Sequence, residues 1–216
     1  MKIVHLLSGG LDSGVALAHW LSLSHEVRIL SINYGQRHFR ELESARALCE
    51  HFHLDFVEVN LEALKTLMRQ NSQTGSFDVP EGHYTEDSMK MTVVPNRNMM
   101  MLSVAMSHAI DLKYDAVSFA AHGGDHTIYP DCRPEFIQAM NQVAKVCDWH
   151  PLEILAPFQD FTKSQIVKRG AELDFPFHLT WSCYKGLEKH CGKCGTCVER
   201  KEAFELSKLT DPTEYL

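Results

Sequence analysis

Residues 6–13 read Leu-Leu-Ser-Gly-Gly-Leu-Asp-Ser, and this stretch decides the fold prediction. The largely apolar run at residues 3–7 is typical of a buried parallel strand. After Gly14 the apolar residues recur at helical spacing. A strand, a turn with two glycines and a helix can hold phosphate, because glycine lets the backbone approach an anion and the first helical N–H groups point at it. Two glycines alone leave an ordinary turn without a ligand as an equal alternative.

The full string Ser-Gly-Gly-Leu-Asp-Ser is more specific, because it resembles the pyrophosphate-binding loop of the N-type ATP pyrophosphatases. It lacks the Gly-Lys-Ser/Thr of a Walker A loop. The resemblance implies that ATP binds with its β,γ-pyrophosphate in the loop, and that a nucleophile attacks the α-phosphate. Asp12 can hold Mg²⁺ there or cap the helix. The expected nucleotide contacts are Ser8, Gly9, Gly10, Leu11, Asp12, Ser13, Gly14, Val15, Ala16, Leu17 and Ala18.

Composition limits the class of protein. The chain has 216 residues and a formal net charge of −7, which fits one domain with a small appendage. No apolar run approaches the roughly 20 residues that span a bilayer. An acidic chain is a poor match for a nucleic-acid backbone, so we expect a small-molecule substrate and no direct nucleic-acid partner. Seven cysteines without an export signal indicate reduced thiols or metal ligands in the cytoplasm.

Strand and helix patterns alternate along the chain. This alternation predicts an α/β fold with a Rossmann-like, doubly wound parallel sheet. The polar segment at residues 70–90 interrupts the pattern, and we expect it to be a mobile lid over the substrate. Further strands are expected over 26–33, 54–59, 115–121 and 152–157, and helices over 39–52, 61–69, 99–112 and 134–147.

Polar side chains follow several of these strands, where ligands of open α/β sheets collect. The loop Tyr34-Gly-Gln-Arg-His38 is a site candidate, with a solvated turn as its alternative. Arg97 and Asn98 lie at the start of a helix, where the positive end of the helix dipole favours an anion. The alternative is that Asn96 or Asn98 caps that helix.

The stretch from His122 to Arg133 is crowded with carboxylates, glycines and other polar residues, more than a structural turn needs. It is therefore a predicted substrate site, and Cys132 lies within it. Thr162 and Gln165 form a capping-box pattern before the next helix. Lys163 would lie near the phosphates if the strand over 152–157 borders the first strand, and would otherwise be an ordinary exposed lysine.

Four cysteines follow the spacing C-x7-C-x2-C-x2-C between residues 183 and 197. Gly192 and Gly195 would let the backbone wrap so that the thiolates converge on a closed, tetrahedral Zn²⁺ site. An iron–sulfur cluster is the alternative, which the compact cluster and the lack of other redox features disfavour. His190 is expected beside the cluster or in solvent. The other cysteines on helices, Cys49 and Cys147, are expected to be buried. We divide the chain into an α/β domain, 1–179, and a zinc-binding segment with a helix, 180–216.

Taken in order, S-G-G-L-D-S, Y-G-Q-R-H, V-P-N-R-N, Y-P-D-C-R and the cysteine tail resemble the 7-cyano-7-deazaguanine synthase family over nearly the whole chain. The resemblance implies an adenine nucleotide alpha hydrolase-like core and ATP-dependent conversion of 7-carboxy-7-deazaguanine and ammonia to the nitrile for queuosine synthesis. It also implies a homodimer. Asn96 stands where that family often has glycine. The metal ligands implied are Cys183, Cys191, Cys194 and Cys197, with one structural zinc per chain.

The implied chemistry activates a carboxylate, forms an amide with ammonia, and then activates the amide to give the nitrile. Whether ATP yields AMP and pyrophosphate or ADP and phosphate stays open. The alternative function is a tRNA sulfurtransferase or lysidine-type enzyme on the same loop, with Cys132 as a persulfide carrier. A zinc-knuckle binding module is a third possibility. The expected catalytic residues are Asp12, Ser13, Lys163, Asp131, Cys132 and Arg133, and the expected substrate-binding residues are Tyr34, Gln36, His38, Arg97, Asn98, Asp125 and Tyr129.

Overall fold

The computed structural model describes residues 1–83, 90–127 and 129–216. Its centre is a five-stranded sheet in the order β3-β2-β1-β4-β5, and all four pairings are parallel. The strand order changes direction between β1 and β4, the point where ligands of such sheets bind. The strands are β1 (Lys2–Leu6), β2 (Glu26–Asn33), β3 (Phe56–Asn60), β4 (Ala116–Ser118) and β5 (Glu153–Leu155).

Helices cover both faces of the sheet, which confirms the doubly wound prediction. The first helix begins at Leu11, three residues earlier than the apolar spacing indicates, so Asp12 and Ser13 lie in its first turn. The helix expected over 61–69 is a short 3₁₀ turn at Glu62–Thr66. The helices are α1 (Leu11–Ser22), α2 (Arg40–His51), α3 (Arg97–Asp111), α4 (Pro134–Ala144), α5 (Lys163–Glu172) and α6 (Gly195–Ser207).

The core has two parts because the sheet is apolar on both faces. On one face α3 packs against β1 and β4, and α4 packs against β5, through residues such as Leu102 and Met140. On the other face α1, α2, α5 and α6 bury Leu17, Leu48 and Phe204. Helices cover both faces of the central strands. Polar side chains that a ligand can reach therefore lie beyond the carboxyl ends of these strands.

The C-terminal segment is fastened to the helical layer. Ser207 of α6 donates to the Ser164 carbonyl of α5 at 2.9 Å. The Phe177 ring meets Phe204 edge-on with centroids 5.1 Å apart. The run that begins at Phe175 thus packs against the helical layer. This attachment fixes the position of α6 relative to the α1 and α5 N-termini.

Arg200 of α6 is fully buried and holds this junction together. Its guanidinium pairs with Asp211 at 3.1 Å and donates to the Thr180 hydroxyl at 2.7 Å and the Phe177 carbonyl at 3.2 Å. A buried cation needs such partners to offset lost hydration. Arg200 therefore ties three separate stretches of the C-terminal segment into one unit.

In the first part of the expected lid, residues 70–83, the stretch 71–73 is packed onto the protein. Asn71, Ser72 and Gln73 are buried. The Gln73 side-chain amide donates to the Thr92 carbonyl, and the Arg37 N–H donates to the Gln73 carbonyl, both at 2.8 Å. Burial and hydrogen bonds fasten this stretch, so the lid prediction is wrong for residues 71–73. The part of that prediction over 84–89 lies outside the described residues.

Two cysteines on helices differ in burial. Cys49 of α2 is buried, as expected. Cys147 is exposed, so the prediction that it is buried is wrong. The reason is that α4 ends at Ala144, three residues before the predicted end, and leaves Cys147 in the turn beyond it.

His5 of β1 makes a pH-dependent contribution to stability. Its ring is fully buried with Nε2 2.9 Å from the Ser13 carbonyl oxygen, and burial lowers the His5 pKa to about 4. Below pH 6.5 the unfolded chain binds a proton at this site while the folded chain does not, so stability falls as the pH drops towards 4. We expect about 2 kcal/mol of unfolding free energy to be lost between pH 7 and pH 5 through His5, at roughly 1.4 kcal/mol per pKa unit.

Urea unfolding at the two pH values measures this loss. His5→Gln should be less stable than the wild type at pH 7, and the difference should shrink at pH 5. His51→Gln, at an exposed position, is the matched control. An identical pH slope in His5→Gln and the wild type would contradict the prediction.

Candidate active site

The loop between β1 and α1 is built around a glycine that no other residue can replace. Gly9 has φ +90°, and a Cβ there would lie 1.9 Å from the Glu41 carbonyl oxygen. The Ser8 hydroxyl lies 2.9 Å from the Ser13 hydroxyl and accepts from the Gly10 N–H at 3.2 Å. No side chain caps α1, so the N–H groups of its first turn are available to an anion. The loop therefore fits a pyrophosphate.

A cluster of charges adjoins this loop. Lys163 Nζ lies 3.3 Å from Asp12 Oδ2 and 3.5 Å from Glu199 Oε2. His122 Nε2 lies 3.9 Å from Asp12 Oδ2 and 3.6 Å from Asp125 Oδ1. Asp12 Oδ1 is buried and accepts no hydrogen bond from the described residues. Carboxylate oxygens grouped in this way suit Mg²⁺.

Asp12 and Lys163 keep their charges at neutral pH. Burial opposes ionisation of Asp12, but Lys163 and His122 outweigh it and hold the Asp12 pKa below its usual value. Burial also opposes the charge on Lys163, yet Asp12 and Glu199 raise the Lys163 pKa. The Glu199 pKa is raised, chiefly by burial. Within the cluster, Asp12 is thus held in its ionised form and Lys163 in its protonated form.

Lys163 reaches this cluster by a route that the sequence argument did not foresee. β5 borders β4 and not β1, so the condition set for Lys163 is not met. The predicted capping box is present: Thr162 N donates to Gln165 Oε1 at 2.7 Å, and Gln165 N donates to Thr162 Oγ1 at 3.3 Å. This cap fixes the start of α5, which packs beside α1, and so places Lys163 next to Asp12.

A second polar group lies where α3 meets the turn at Pro130–Cys132. The Asn98 amide donates to Cys132 Sγ at 3.2 Å and to the Asp131 carbonyl at 3.0 Å. The Asn98 N–H donates to Asp131 Oδ2 at 2.8 Å. The Tyr129 hydroxyl lies 3.1 Å from the Thr92 hydroxyl. These bonds clamp the two elements together around the Cys132 thiol.

Neither asparagine caps α3 in the way the sequence suggested. Asn96 precedes the helix in a left-handed conformation, φ +58° and ψ 25°, and its side chain makes no capping bond. Asparagine tolerates this conformation better than most residues, which explains how it replaces the glycine frequent in the similar family. Asn98 uses its side chain for Cys132 instead.

The loop after β2 is folded inward. Gln36 and His38 are buried, and Gln36 Oε1 accepts from the Tyr34 N–H at 3.0 Å. His38 Nε2 lies 3.1 Å from Glu41 Oε2, and the His38 ring packs on Tyr184 with centroids 4.8 Å apart. The alternative of a turn with Arg37 and His38 in solvent is therefore wrong for His38, whereas Arg37 is exposed, as that alternative predicted.

A cavity at the carboxyl ends of β1, β2 and β4 brings these groups together. Gly9 and the stretch Gly14–Ala18 do not line it, because Val15, Ala16 and Leu17 are fully buried in the core. Asp131 does not line the cavity, but its carboxylate accepts a hydrogen bond from Asn98, which does. Arg133 is exposed and does not line the cavity. The predicted residues that do line the cavity are Ser8, Gly10, Leu11, Asp12, Ser13, Tyr34, Gln36, His38, Arg97, Asn98, Asp125, Tyr129, Cys132 and Lys163.

Part of the lining comes from the C-terminal segment, which the sequence argument treated as an appendage. The Trp181 backbone N–H donates to the Gly9 carbonyl at 3.0 Å, and this contact brings the segment against the loop between β1 and α1. The helical spacing of Thr196 and Glu199 could have revealed that both face one side of α6. The missed lining residues whose side chains carry a polar group are Glu41, Trp181, Ser182, Tyr184, Thr196 and Glu199.

The four cysteines of the tail converge. Cys183, Cys191, Cys194 and Cys197 are buried, and their sulfur atoms all lie within 4.8 Å of one another. Four thiolates at tetrahedral Zn–S distances of about 2.3 Å need this kind of separation, so the residues fit a closed zinc site. Gly192 has φ +68° and turns the chain.

Gly195 and His190 of the cysteine segment have surroundings that the sequence did not fully predict. Gly195 does not bend the backbone, because α6 begins there. His190 is buried outside the four-sulfur group, with Nε2 accepting from the Ser182 N–H at 3.0 Å. Its ring packs on Trp181 with centroids 4.1 Å apart. His190 therefore links the cysteine segment to a residue that lines the cavity.

Comparison with known proteins decides the family. The family described as "Queuosine biosynthesis protein QueC" matches residues 2–208. The chain belongs to the QueC family. It is similar to a 7-cyano-7-deazaguanine synthase of Hahella chejuensis, with 48% identity over 99% of this chain and 93% of the relative. The corresponding protein of Pseudoalteromonas translucida is 47% identical over 99% of this chain and 98% of the relative. The predicted family and enzyme class are confirmed.

Solved structures agree on the fold. The chain resembles an NMN synthetase of Francisella tularensis with a TM-score of 0.55 and 15% identity, over 96% of this chain and 77% of the other. It also resembles a 4-thiouridine synthetase, solved with RNA and bound ATP, with a TM-score of 0.52 and 21% identity, over 80% of this chain and 40% of the other. These neighbours confirm the predicted fold class of the QueC chain.

Proposed function

We propose that this QueC chain converts 7-carboxy-7-deazaguanine and ammonia to 7-cyano-7-deazaguanine, using ATP. The observation that carries the proposal is the cavity that joins two groups of residues. One is the phosphate loop, residues 8–13, and the other is the second polar group around Asn98 and Cys132, together with Arg97. A reaction that activates a carboxylate with ATP needs the nucleotide and the acid in one enclosure. Membership of a family with 7-cyano-7-deazaguanine synthases supports the identity of the acid.

On the nucleotide side, ATP would turn a substrate oxygen into a leaving group. The N–H groups of the first α1 turn would hold the phosphates, and Lys163 would offset their charge. Asp12, Asp125 and Glu199 offer carboxylate oxygens to Mg²⁺ at the edge of this group. We assign Ser13 to the same loop, where its hydroxyl donates to the Gly10 carbonyl at 3.2 Å and shapes the turn.

On the substrate side, a deazaguanine has donors and acceptors along its lactam and amine edge. Gln36, His38 and Asp125 line the cavity and can pair with such an edge. Tyr34 and Tyr129 add apolar area and hydroxyl groups to the same wall. We assign Asp131 to positioning, through its bond to Asn98, and give Arg133 no contact with substrate because it is exposed.

The structure favours a neutral thiol at Cys132. The side chain is buried and accepts from the Asn98 amide at 3.2 Å. Burial, reinforced by Asp125, raises the Cys132 pKa, whereas a persulfide carrier or nucleophile needs its thiolate. We therefore assign Cys132 to the shape of the substrate wall.

Cys132→Ser is expected to keep at least roughly a third of wild-type nitrile formation, because serine preserves the small polar side chain and only thiolate chemistry is lost. Mass spectrometry of the amide and nitrile products measures this. Cys147→Ser, at an exposed site, controls for the loss of a thiol. Complete loss of both products in folded Cys132→Ser would contradict the assignment and indicate covalent catalysis.

Further parts of the proposal concern organisation. The four cysteines hold one structural zinc per chain, in a segment, 180–216, that completes the cavity of the α/β domain, 1–179. Reduced thiolates suit the cytoplasm, where we place the enzyme. None of the helices that the structure describes is long and apolar enough to cross a membrane. We propose a homodimer, which would give the exposed Val146 and Trp149 side chains an apolar neighbour.

The test offers the zinc-loaded protein two alternative substrates. One sample contains ATP, Mg²⁺, ammonium and 7-carboxy-7-deazaguanine; the other contains ATP, Mg²⁺, a sulfur donor and unmodified tRNA. We expect nitrile in the first sample and no thiolated nucleoside in the second. Analysis of the nucleotide products will identify whether ATP yields AMP and pyrophosphate or ADP and phosphate. Modified tRNA without nitrile would favour the tRNA-modifying alternative.

A further inference from the structure

We propose that Arg97 recognises the carboxylate of the acid substrate and distinguishes the acid from the amide formed after it. The inference rests on the proposed function. Arg97 begins α3, lines the cavity, and has a buried Nε with no hydrogen-bond partner in the described structure. No carboxylate among the described residues pairs with its guanidinium, whereas the guanidinium of the fully buried Arg200 pairs with Asp211.

The surroundings of Arg97 leave its positive charge uncompensated. Its guanidinium carbon lies 5.8 Å from the centre of the Tyr129 ring, and the Tyr34, Tyr184 and Cys132 side chains are its other neighbours. Burial raises the pKa values of Tyr34, Tyr129 and Cys132, so these groups stay neutral. A cation held among neutral groups at a cavity wall attracts an anion.

Two anions are available in this reaction, a phosphate of ATP and the carboxylate of the acid. The phosphate loop already has its own cation, since Lys163 adjoins Asp12. Arg97 belongs to the second polar group, beside Asn98, Tyr129 and Cys132, which borders the proposed substrate site. A planar guanidinium matches a carboxylate with two parallel hydrogen bonds. The carboxylate of the acid is therefore the better match.

This assignment separates the two halves of the reaction. The acid has a carboxylate for Arg97, but once one carboxylate oxygen is replaced by ammonia the product is a neutral amide. An amide offers only one acceptor oxygen, and its N–H groups cannot accept from the guanidinium. Arg97 should therefore matter for binding the acid and much less for binding the amide.

The test compares binding of the acid and of the amide to the zinc-loaded full chain by calorimetry, without ATP. Arg97→Gln should weaken acid binding by roughly tenfold or more, the scale of a lost charge-assisted bond, and change amide binding less than about threefold. Arg97→Lys, which keeps the charge, should recover part of the acid affinity. Arg28→Gln, which removes a half-exposed arginine paired with Asp55, is the matched control.

Kinetics provide an independent readout, because the amide can be supplied directly. Arg97→Gln should raise the KM for the acid while conversion of supplied amide to nitrile is largely retained. Equal losses for acid and amide in both Arg97 variants would overturn the inference, as would a selective loss of ATP affinity, which would assign Arg97 to phosphate. Failure of the wild type to bind either the acid or the amide would instead refute the proposed function.

Discussion

Replacing Asp12 with asparagine is expected to lower the rate of nitrile formation by about 100-fold or more, the scale of one lost electrostatic contact in a transition state. Lys163 and His122 outweigh burial and hold the Asp12 pKa below its usual value, and Asp12 Oδ2 lies 3.3 Å from Lys163 Nζ. Asparagine keeps the shape of the side chain but removes the charge that would position Mg²⁺ against the pyrophosphate. It also leaves the Lys163 ammonium with Glu199 as its remaining close carboxylate.

The fold should survive this change, because Asp12 lies in the first turn of α1 at the cavity and not in the core. Turnover with saturating ATP and the thermal midpoint of unfolding measure the two expectations separately. Asp55→Asn is the matched control, since Asp55 is exposed and pairs with Arg28 away from the cavity. Near-normal turnover in Asp12→Asn would contradict its metal-positioning role.

Replacing Cys194 with serine is expected to remove about one zinc per chain and to make the C-terminal segment sensitive to proteases. Its sulfur is fully buried, and Cys194 also precedes the first residue of α6. Structural zinc contributes on the order of 10 kcal/mol to folding at sites of this type. The segment around the cysteines has few other apolar contacts, chiefly Val79, Trp181 and Tyr215.

Zinc analysis and limited proteolysis check this prediction, with the exposed Cys147→Ser variant as control. Because α6 also carries Glu199, activity should fall together with structure and not independently of it. A stable, zinc-free and fully active Cys194→Ser protein would contradict a structural role for zinc. Iron with sulfide in the wild type would replace zinc with the iron–sulfur alternative.

Local pattern was enough to predict the sheet and the glycine turn between β1 and α1. The buried strands are short apolar runs, and the Ser8–Ser13 turn needs a glycine whose reason is visible in the structure, since a Cβ at Gly9 would collide with Glu41. The cysteine spacing likewise predicted a cluster that the folded chain forms. In each case the residues that cooperate are close in sequence, so spacing carries the information.

Groups that depend on distant contacts were harder to predict. Glu199 reaches the Lys163 cluster only because α6 docks on α5, and nothing near Glu199 in sequence reports that docking. Arg200 is buried because two other stretches, Phe177–Thr180 and the one that carries Asp211, meet it on α6. Arg133 was placed in the site because its neighbours are there, yet consecutive residues of the tight turn point in different directions and leave it exposed.

The most direct test of the account is a time course with wild-type protein, 7-carboxy-7-deazaguanine, ATP, Mg²⁺ and ¹⁵N-ammonium, followed by mass spectrometry. We expect a ¹⁵N-labelled amide that rises and then falls as the labelled nitrile accumulates. ATP should be consumed both in forming the amide from the acid and in forming the nitrile from the amide. Asp12→Asn should slow both stages together, because the same phosphate loop serves each activation. A protein that consumes ATP without producing labelled amide or nitrile would contradict the claim that this cavity synthesises the nitrile.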